Sequence, residues 1–216
     1  MHKSSVTLIA LAAAAMLVAG CERSPRMEVE SRDLGNFEAI DFHGAAEVKI
    51  TVGEPAALSI EGSQRALKAI DTSVRDNVLY LRAEKSGWSF IGDQQKLKLS
   101  ISMPKLTSFD SSGAGSVRIT GLAGGEHLVR VAGAHNIEAE GTLDNLQIKL
   151  DGAGNIDYGK VVTQNAKVTV NGAGNVEVHP IVLLDARVNG VGAVHFVGEP
   201  QKVESAIHGL GAIKRK

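Results

Sequence analysis

Six glycine-led stretches recur at a nearly fixed interval, and they constrain the fold of this chain more than any other feature. The intervals between their leading glycines are 20, 19, 20, 18 and 19 residues. A period of this length is typical of solenoids, in which each repeat forms one coil and buries its apolar side by stacking on its neighbours. The stretches begin at Gly113, Gly133, Gly152, Gly172, Gly190 and Gly209.

The residues around each leading glycine alternate between apolar and polar side chains. Four positions after the glycine, every repeat carries Val or Ile, and the next position is always polar. Before Gly152, the apolar residues Leu146, Ile148 and Leu150 alternate with polar residues in the same way. This period of two predicts strands with one buried face. We therefore expect two half-buried strands per repeat, joined at a glycine corner where neighbouring coils approach closely.

These patterns predict an all-β fold, a right-handed parallel β-helix-like solenoid with about 19–20 residues per coil. A β-sandwich is the alternative at this stage. Residues 44–50 repeat the pattern once more and are expected to form an early coil. Between 53 and 105 we predict antiparallel strands that flank or cap the solenoid, because an open solenoid end is an exposed sheet edge. Residues 65–71 fit either a helical turn or a loop.

Residues 1–20 have the pattern of an export signal, with a short basic start and an apolar run over 6–18 that is too short to span a membrane. The run ends in Leu17-Val18-Ala19-Gly20-Cys21, which resembles a bacterial lipobox. That resemblance implies cleavage before Cys21, a lipid on its sulfur and attachment to a membrane. Cys21 is the only cysteine of the chain, so an internal disulfide is excluded. By resemblance to a known sorting rule, Glu22 in place of Asp implies the outer membrane.

Three parts follow along the chain: the signal peptide, a lipid-anchored tether over 21–35, and a single β-solenoid domain over 36–216. The tether is predicted from its charged and weakly patterned sequence. The formal net charge of −1 argues against a nucleic-acid partner, which would require a basic excess.

When the repeats are aligned, each position forms a column, and the column five residues after the leading glycine is partly acidic. Stacking places Glu138, Asp157 and Glu177 on one face, where they would bind a cation or act on a polysaccharide. The alternative is a solvated outer face, which we favour because Arg118, His195 and Lys214 occupy the same column. A second column is expected to form an asparagine ladder at the corner, from Asn136, Asn155 and Asn175.

No cofactor, metal or catalytic residue is predicted. The glycine motifs lack the spacing of a phosphate-binding loop, and the period is about twice that of the calcium-binding nonapeptide. The sequence identifies no Ser-His-Asp set, and five of the histidines share no metal-ligand spacing: His43, His135, His179, His195 and His208.

An apolar, glycine-flanked segment carries the only tryptophan of the chain, Trp88, together with Phe90. A loop tip of this composition is a candidate for contact with a partner. The alternative is that the segment folds back over the end of the solenoid.

The order of these segments resembles a known family, the auto-transporter adhesin head domain, or GIN domain. The resemblance rests on residues 36–40, 44–50, 78–81 and 103–106 and on the Gly-Ala-Gly-Asn repeats, and it extends over about residues 36–198. It implies an exported protein with an all-β solenoid fold, and it supplies no catalytic residue.

Together, these features predict a non-enzymatic lipoprotein of the cell envelope that binds or scaffolds another component, such as an envelope protein or polysaccharide. The alternatives are an enzyme that acts on polysaccharide at the acidic face, and a structural spacer.

Overall fold

The computed structural model describes residues 27–83 and 97–216. Within these ranges it contains one short helix, α1 (Gln64–Ala69), and fourteen strands. The first six strands are β1 (Met27–Arg32), β2 (Ala39–Val52), β3 (Ala57–Ser63), β4 (Ile70–Arg75), β5 (Val78–Ala83) and β6 (Lys98–Met103). The glycine repeats form β7 (Ser108–Ala123), β8 (Glu126–Val131), β9 (Ala134–Leu150), β10 (Ala153–Val170), β11 (Ala173–Val188), β12 (Val191–Phe196), β13 (Lys202–Ile207) and β14 (Leu210–Arg215).

The repeats stack as parallel coils in register, as predicted. Ala153 of β10 pairs with Ala134 of β9 on one side and with Ala173 of β11 on the other. In the middle of the array, β9, β10 and β11 are each one long strand that bends, and the pairing shifts register at the bend, for example between Tyr158 and Val162. The coil-to-coil pairing satisfies the backbone hydrogen bonds that an isolated coil would leave open.

The alternating apolar residues form one continuous core along the solenoid axis. In β10, Ile156, Val168 and Val170 are almost completely buried, whereas Asp157 and Lys167 between them are exposed. The predicted assignment of the two faces is therefore confirmed.

The early coil predicted over 44–50 is part of β2, which pairs with β7 from Ala39–Ser108 to Thr51–Thr120. The intervening strands differ in part from the prediction. β1, β3 and β4 pair antiparallel with their partners, as expected for a flank. However, β5 and β6 pair parallel with the first and second halves of β2. They form the coil beneath β2, because their alternating apolar residues continue the same core.

The helical alternative for residues 65–71 is confirmed by α1. Its first turn is capped by Ser63, whose Oγ accepts a hydrogen bond of 3.2 Å from the backbone N–H of Ala66.

Part of the predicted tether is structured. Residues 27–32 form β1, which pairs with β3. The Arg32 guanidinium fixes this strand by donating hydrogen bonds of 2.9 Å to the carbonyl oxygen of Ile70, 2.8 Å to Oγ1 of Thr72 and 3.0 Å to the carbonyl oxygen of Leu67. The weak apolar pattern of this segment gave no sign of the pairing, because both faces of β1 are exposed.

The glycine corner depends on the absence of side chains. A Cβ atom at Gly172 would overlap the carbonyl oxygen of Gly152 in the preceding coil, and the same holds for the corresponding glycine of other repeats. Beside this column, a side-chain ladder connects three coils: Asn171 Nδ2 donates to Asp151 Oδ1 at 2.6 Å, and Asn189 Nδ2 donates to Asn171 Oδ1 at 2.8 Å. In the predicted asparagine column, Asn175 donates to Asn155 at 3.3 Å.

Candidate interaction surface

The acidic column predicted from the repeats lies on the outer face of the solenoid, and its carboxylates have partners. Glu138 forms an ion pair of 2.7 Å with Arg118 of the preceding coil. Glu177 forms one of 2.8 Å with Lys216, and Asp157 accepts a hydrogen bond of 2.9 Å from the backbone N–H of Gly159. The structure thus supports the solvated-face interpretation of this column.

The depression beside this column is too small to enclose a substrate molecule. The depression lined by Arg118, Glu138, Asp157 and Lys160 holds about 20 Å³, which is room for roughly one water molecule. A second, mainly apolar depression near Leu122 and Leu143 holds about 40 Å³. Over the described ranges, no group of three or more His, Cys, Asp and Glu side chains is arranged to hold a metal ion. Such a surface suits distributed contact with a large partner better than enclosure of a small substrate.

The core contains a buried histidine–tyrosine pair. His127 Nε2 lies 3.0 Å from the hydroxyl of Tyr158, and His127 Nδ1 lies 3.2 Å from the carbonyl oxygen of Leu106. Nδ1–H therefore donates to the carbonyl, and Nε2 accepts from the tyrosine O–H. Desolvation lowers the pKa of His127 to about 4 and raises that of Tyr158, so both groups are neutral.

A second buried histidine, His135, occupies a position that is glycine in most repeats. Its Nε2 lies 2.8 Å from Oγ of Ser111, its ring packs edge-on against Phe42, and its Nδ1 has no hydrogen-bond partner. Burial lowers its pKa, so this ring is also neutral at pH 7.

A hydrogen-bonded set of Ser, His and Asp side chains lies on the outer face near the N-terminal end of the solenoid. His43 Nδ1 is 2.6 Å from Oγ of Ser112, and His43 Nε2 is 2.8 Å from Oδ1 of Asp41. The sequence analysis identified no such set. The signal was present in the repeat, however, because His43 and Ser112 each directly precede the leading glycine of their own coil and are register partners.

Exposed aliphatic side chains lie at the C-terminal end of the solenoid. Val203 and Ile207 of β13 continue the core columns of β11, since they pair with Leu184 and Val188, yet both are exposed. Leu210 at the last glycine corner is 78% exposed. In the described part of the chain, β13 pairs only with β11, and β14 pairs only with β12.

The residues predicted for lipid attachment and partner contact, Cys21, Trp88 and Phe90, lie outside the described residues. The one helix in residues 27–83 and 97–216, α1, is not long and apolar enough to cross a membrane.

Residues 36–200 match the model of one protein family, described as "Putative auto-transporter adhesin, head GIN domain". This chain belongs to that family. The match confirms the resemblance drawn from the glycine repeats. No curated protein matches the chain.

Several solved structures also resemble this one. A "putative adhesin" from Bacteroides fragilis NCTC 9343 is 24% identical over 88% of this chain and 97% of its own, with a TM-score of 0.67. A "putative adhesin" from Parabacteroides merdae ATCC 43184 is 18% identical over 88% and 96%, with a TM-score of 0.48. A "Putative lipid binding protein" from Parabacteroides distasonis ATCC 8503 is also 18% identical over 88% and 96%, with a TM-score of 0.45. The description of the family names an adhesin head domain and no enzymatic activity.

Proposed function

We propose that this GIN-domain protein is a lipid-anchored, non-enzymatic binding module of the bacterial cell envelope. Cys21 carries the lipid, Glu22 directs the protein to the outer membrane, and the solenoid contacts an envelope protein or polysaccharide. The adhesin description of the family supports a binding role. Trp88 and Phe90 are proposed as additional contacts at a loop tip.

The observation that carries the proposal is the state of the outer face. Glu138 and Glu177 are held by Arg118 and Lys216 from other coils, and the adjoining depression has room for about one water molecule. A catalytic pair of carboxylates needs a cleft that holds the substrate and excludes water. The enzyme alternative is therefore not favoured.

The lipid anchor is tested by labelling cells with a fatty-acid analogue. We expect the wild-type chain to be labelled and to fractionate with membranes, and Cys21→Ala to lose both properties. Ser24→Ala, a change three residues further along the chain, is the matched control and should behave like the wild type. An unlabelled wild-type protein would contradict the anchor.

The binding role is tested by measuring saturable binding of the purified protein to isolated envelope material, alongside a screen for polysaccharide cleavage. We expect binding without turnover. Cleavage that is lost in a folded Glu138→Ala, Asp157→Ala, Glu177→Ala variant would show an enzyme instead.

A further inference from the structure

We propose that Ser112 is a nucleophilic acyl-acceptor site, activated by His43 and Asp41, that reacts with small activated esters and thioesters. The proposal goes beyond the binding role, and it concerns covalent capture of an acyl group and not rapid turnover.

The fold brings the three side chains together through pairing of adjacent coils. His43 of β2 is the register partner of Ser112 of β7. Asp41 lies two residues before His43, so both side chains point to the same outer face of the strand. Hydroxyl, imidazole and carboxylate therefore form a row with separations of 2.6 and 2.8 Å.

The carboxylate end of the row is held from the coil beneath. Arg82 of β5 donates hydrogen bonds of 2.9 Å to Oδ2 and 3.1 Å to Oδ1 of Asp41, and its guanidinium lies 5.2 Å from the centroid of the Tyr80 ring. Asp41 is thus oriented with Oδ1 facing Nε2 of His43. An N–H at Nε2 leaves Nδ1 with a free lone pair, which accepts the proton of Ser112.

The position directly before the leading glycine is polar in several coils, and the pair of His43 and Ser112 differs from the others in this column. In later coils, the amide groups of Asn171 and Asn189 donate to Asp151 and Asn171 of the preceding coils, and an amide has no basic nitrogen. At His43 and Ser112, the same column holds a base and a hydroxyl.

The row is accessible to a small reagent. The His43 side chain is 48% exposed, and Ser112 is followed by Gly113, which adds no side chain over the hydroxyl. Ala132, which follows Val131, the register partner of Ser111, is also small.

The reaction is a simple acyl transfer. The Ser112 oxygen forms a bond to the acyl carbon while its proton passes to Nδ1 of His43. The bond from the acyl carbon to the leaving oxygen or sulfur then breaks, and that atom takes the proton from His43. The products are an acyl-serine and a free alcohol or thiol.

Two features slow both the formation and the hydrolysis of the acyl-serine, which fits covalent capture and not rapid turnover. The backbone of Ser112, just before the glycine corner, lies within the uninterrupted pairing of β7 with β2, whereas serine hydrolases place the nucleophile at a turn that supplies backbone N–H donors to the oxyanion. Arg82 also offsets part of the Asp41 charge that would stabilise a protonated His43.

The test treats the purified full chain with p-nitrophenyl acetate, followed by release of p-nitrophenolate and peptide mapping by mass spectrometry. We expect one acetyl group on Ser112 in the wild type and none there in Ser112→Ala. His43→Asn, which introduces the amide side chain used by Asn171 and Asn189, should slow acetylation of Ser112 by about 100-fold or more.

Ser116→Ala is the matched control, since Ser116 lies on the same strand and pairs with Glu47 and Asn136, not with a histidine. It should react like the wild type. Acetylation confined to lysines, or equal rates in the wild type and His43→Asn, would overturn the proposal. The wild-type peptide map decides the question even if Ser112→Ala fails to fold.

Discussion

His127 is the residue whose environment differs most from what its sequence context indicates. It belongs to a strand of otherwise ordinary alternation, yet its ring is buried against the hydroxyl of Tyr158 and the carbonyl oxygen of Leu106. Both ring nitrogens are used in the neutral form. Protonation of Nε2 would place a second donor against the tyrosine hydroxyl and a charge in the core, which is unfavourable.

This burial predicts acid sensitivity. The pKa of His127 is about 4 in the folded protein and about 6.5 when unfolded, so the unfolded chain binds more protons between these values and acidification favours unfolding. From pH 8 to pH 5 we expect His127 to remove about 2 kcal/mol of stability. Urea unfolding at several pH values measures the slope.

His127→Gln should reduce the pH dependence of the unfolding free energy over this range, whatever its absolute stability, and the buried His135 accounts for part of the slope that remains. His208→Gln, at an exposed position in the last coil, is the control and should leave the slope unchanged. An equal slope in wild type and His127→Gln would contradict the assignment.

At the scale of the strand, β10 is paired on both sides, and its side chains alternate between core and solvent before the bend and again over 166–170. Val170 is completely buried, whereas Glu177 on β11 makes an ion pair at the surface. The facing of each strand therefore determines which substitutions the protein tolerates.

We expect Val170→Asp to destabilise the protein by about 4 kcal/mol or more, because it places an unpaired carboxylate in the core. Glu177→Gln should change stability by less than about 1 kcal/mol, since surface ion pairs contribute little. Chemical denaturation monitored by circular dichroism measures both, and similar losses would mean that the two faces are assigned wrongly.

The alternating columns allowed the strands, their facing and the stacking direction to be predicted from the sequence. The same alignment could also have predicted the contact between His43 and Ser112. These residues are 69 positions apart in the sequence, and they come together only when the early coil is aligned with the later repeats. The pairing of His127 with Tyr158 was not predictable in this way. It crosses the core near the bend of β10, where the register shifts and the repeat columns no longer apply.

At the scale of the whole molecule, stability varies along the solenoid axis. Coils in the middle, such as β10, contact a coil on each side, whereas β13 and β14 have one neighbour each within the described residues. In a solenoid, each coil is stabilised mainly by its nearest neighbours.

We therefore predict that amide hydrogen exchange is fastest in β13 and β14 and slowest in β9 to β11. Mass spectrometry of peptides from each coil measures the gradient. The exposed aliphatic residues Val203 and Ile207 should lie in the rapidly exchanging part. Uniform protection from β9 to β14 would indicate one cooperative unit and contradict this prediction.

The pairing of β1 with β3 has a mechanical consequence if the protein is anchored at Cys21, as proposed. Only five residues separate Cys21 from Met27, so a fully extended tether would span at most about 20 Å between these two residues. Tension between a bound partner and the membrane would pass through β1, which has one neighbouring strand and two exposed faces. The hydrogen bonds of Arg32 to Leu67, Ile70 and Thr72 hold the C-terminal end of β1 against the rest of the domain. Under load, we expect β1 to separate from β3 before any coil opens, which would lengthen the tether and leave the solenoid intact.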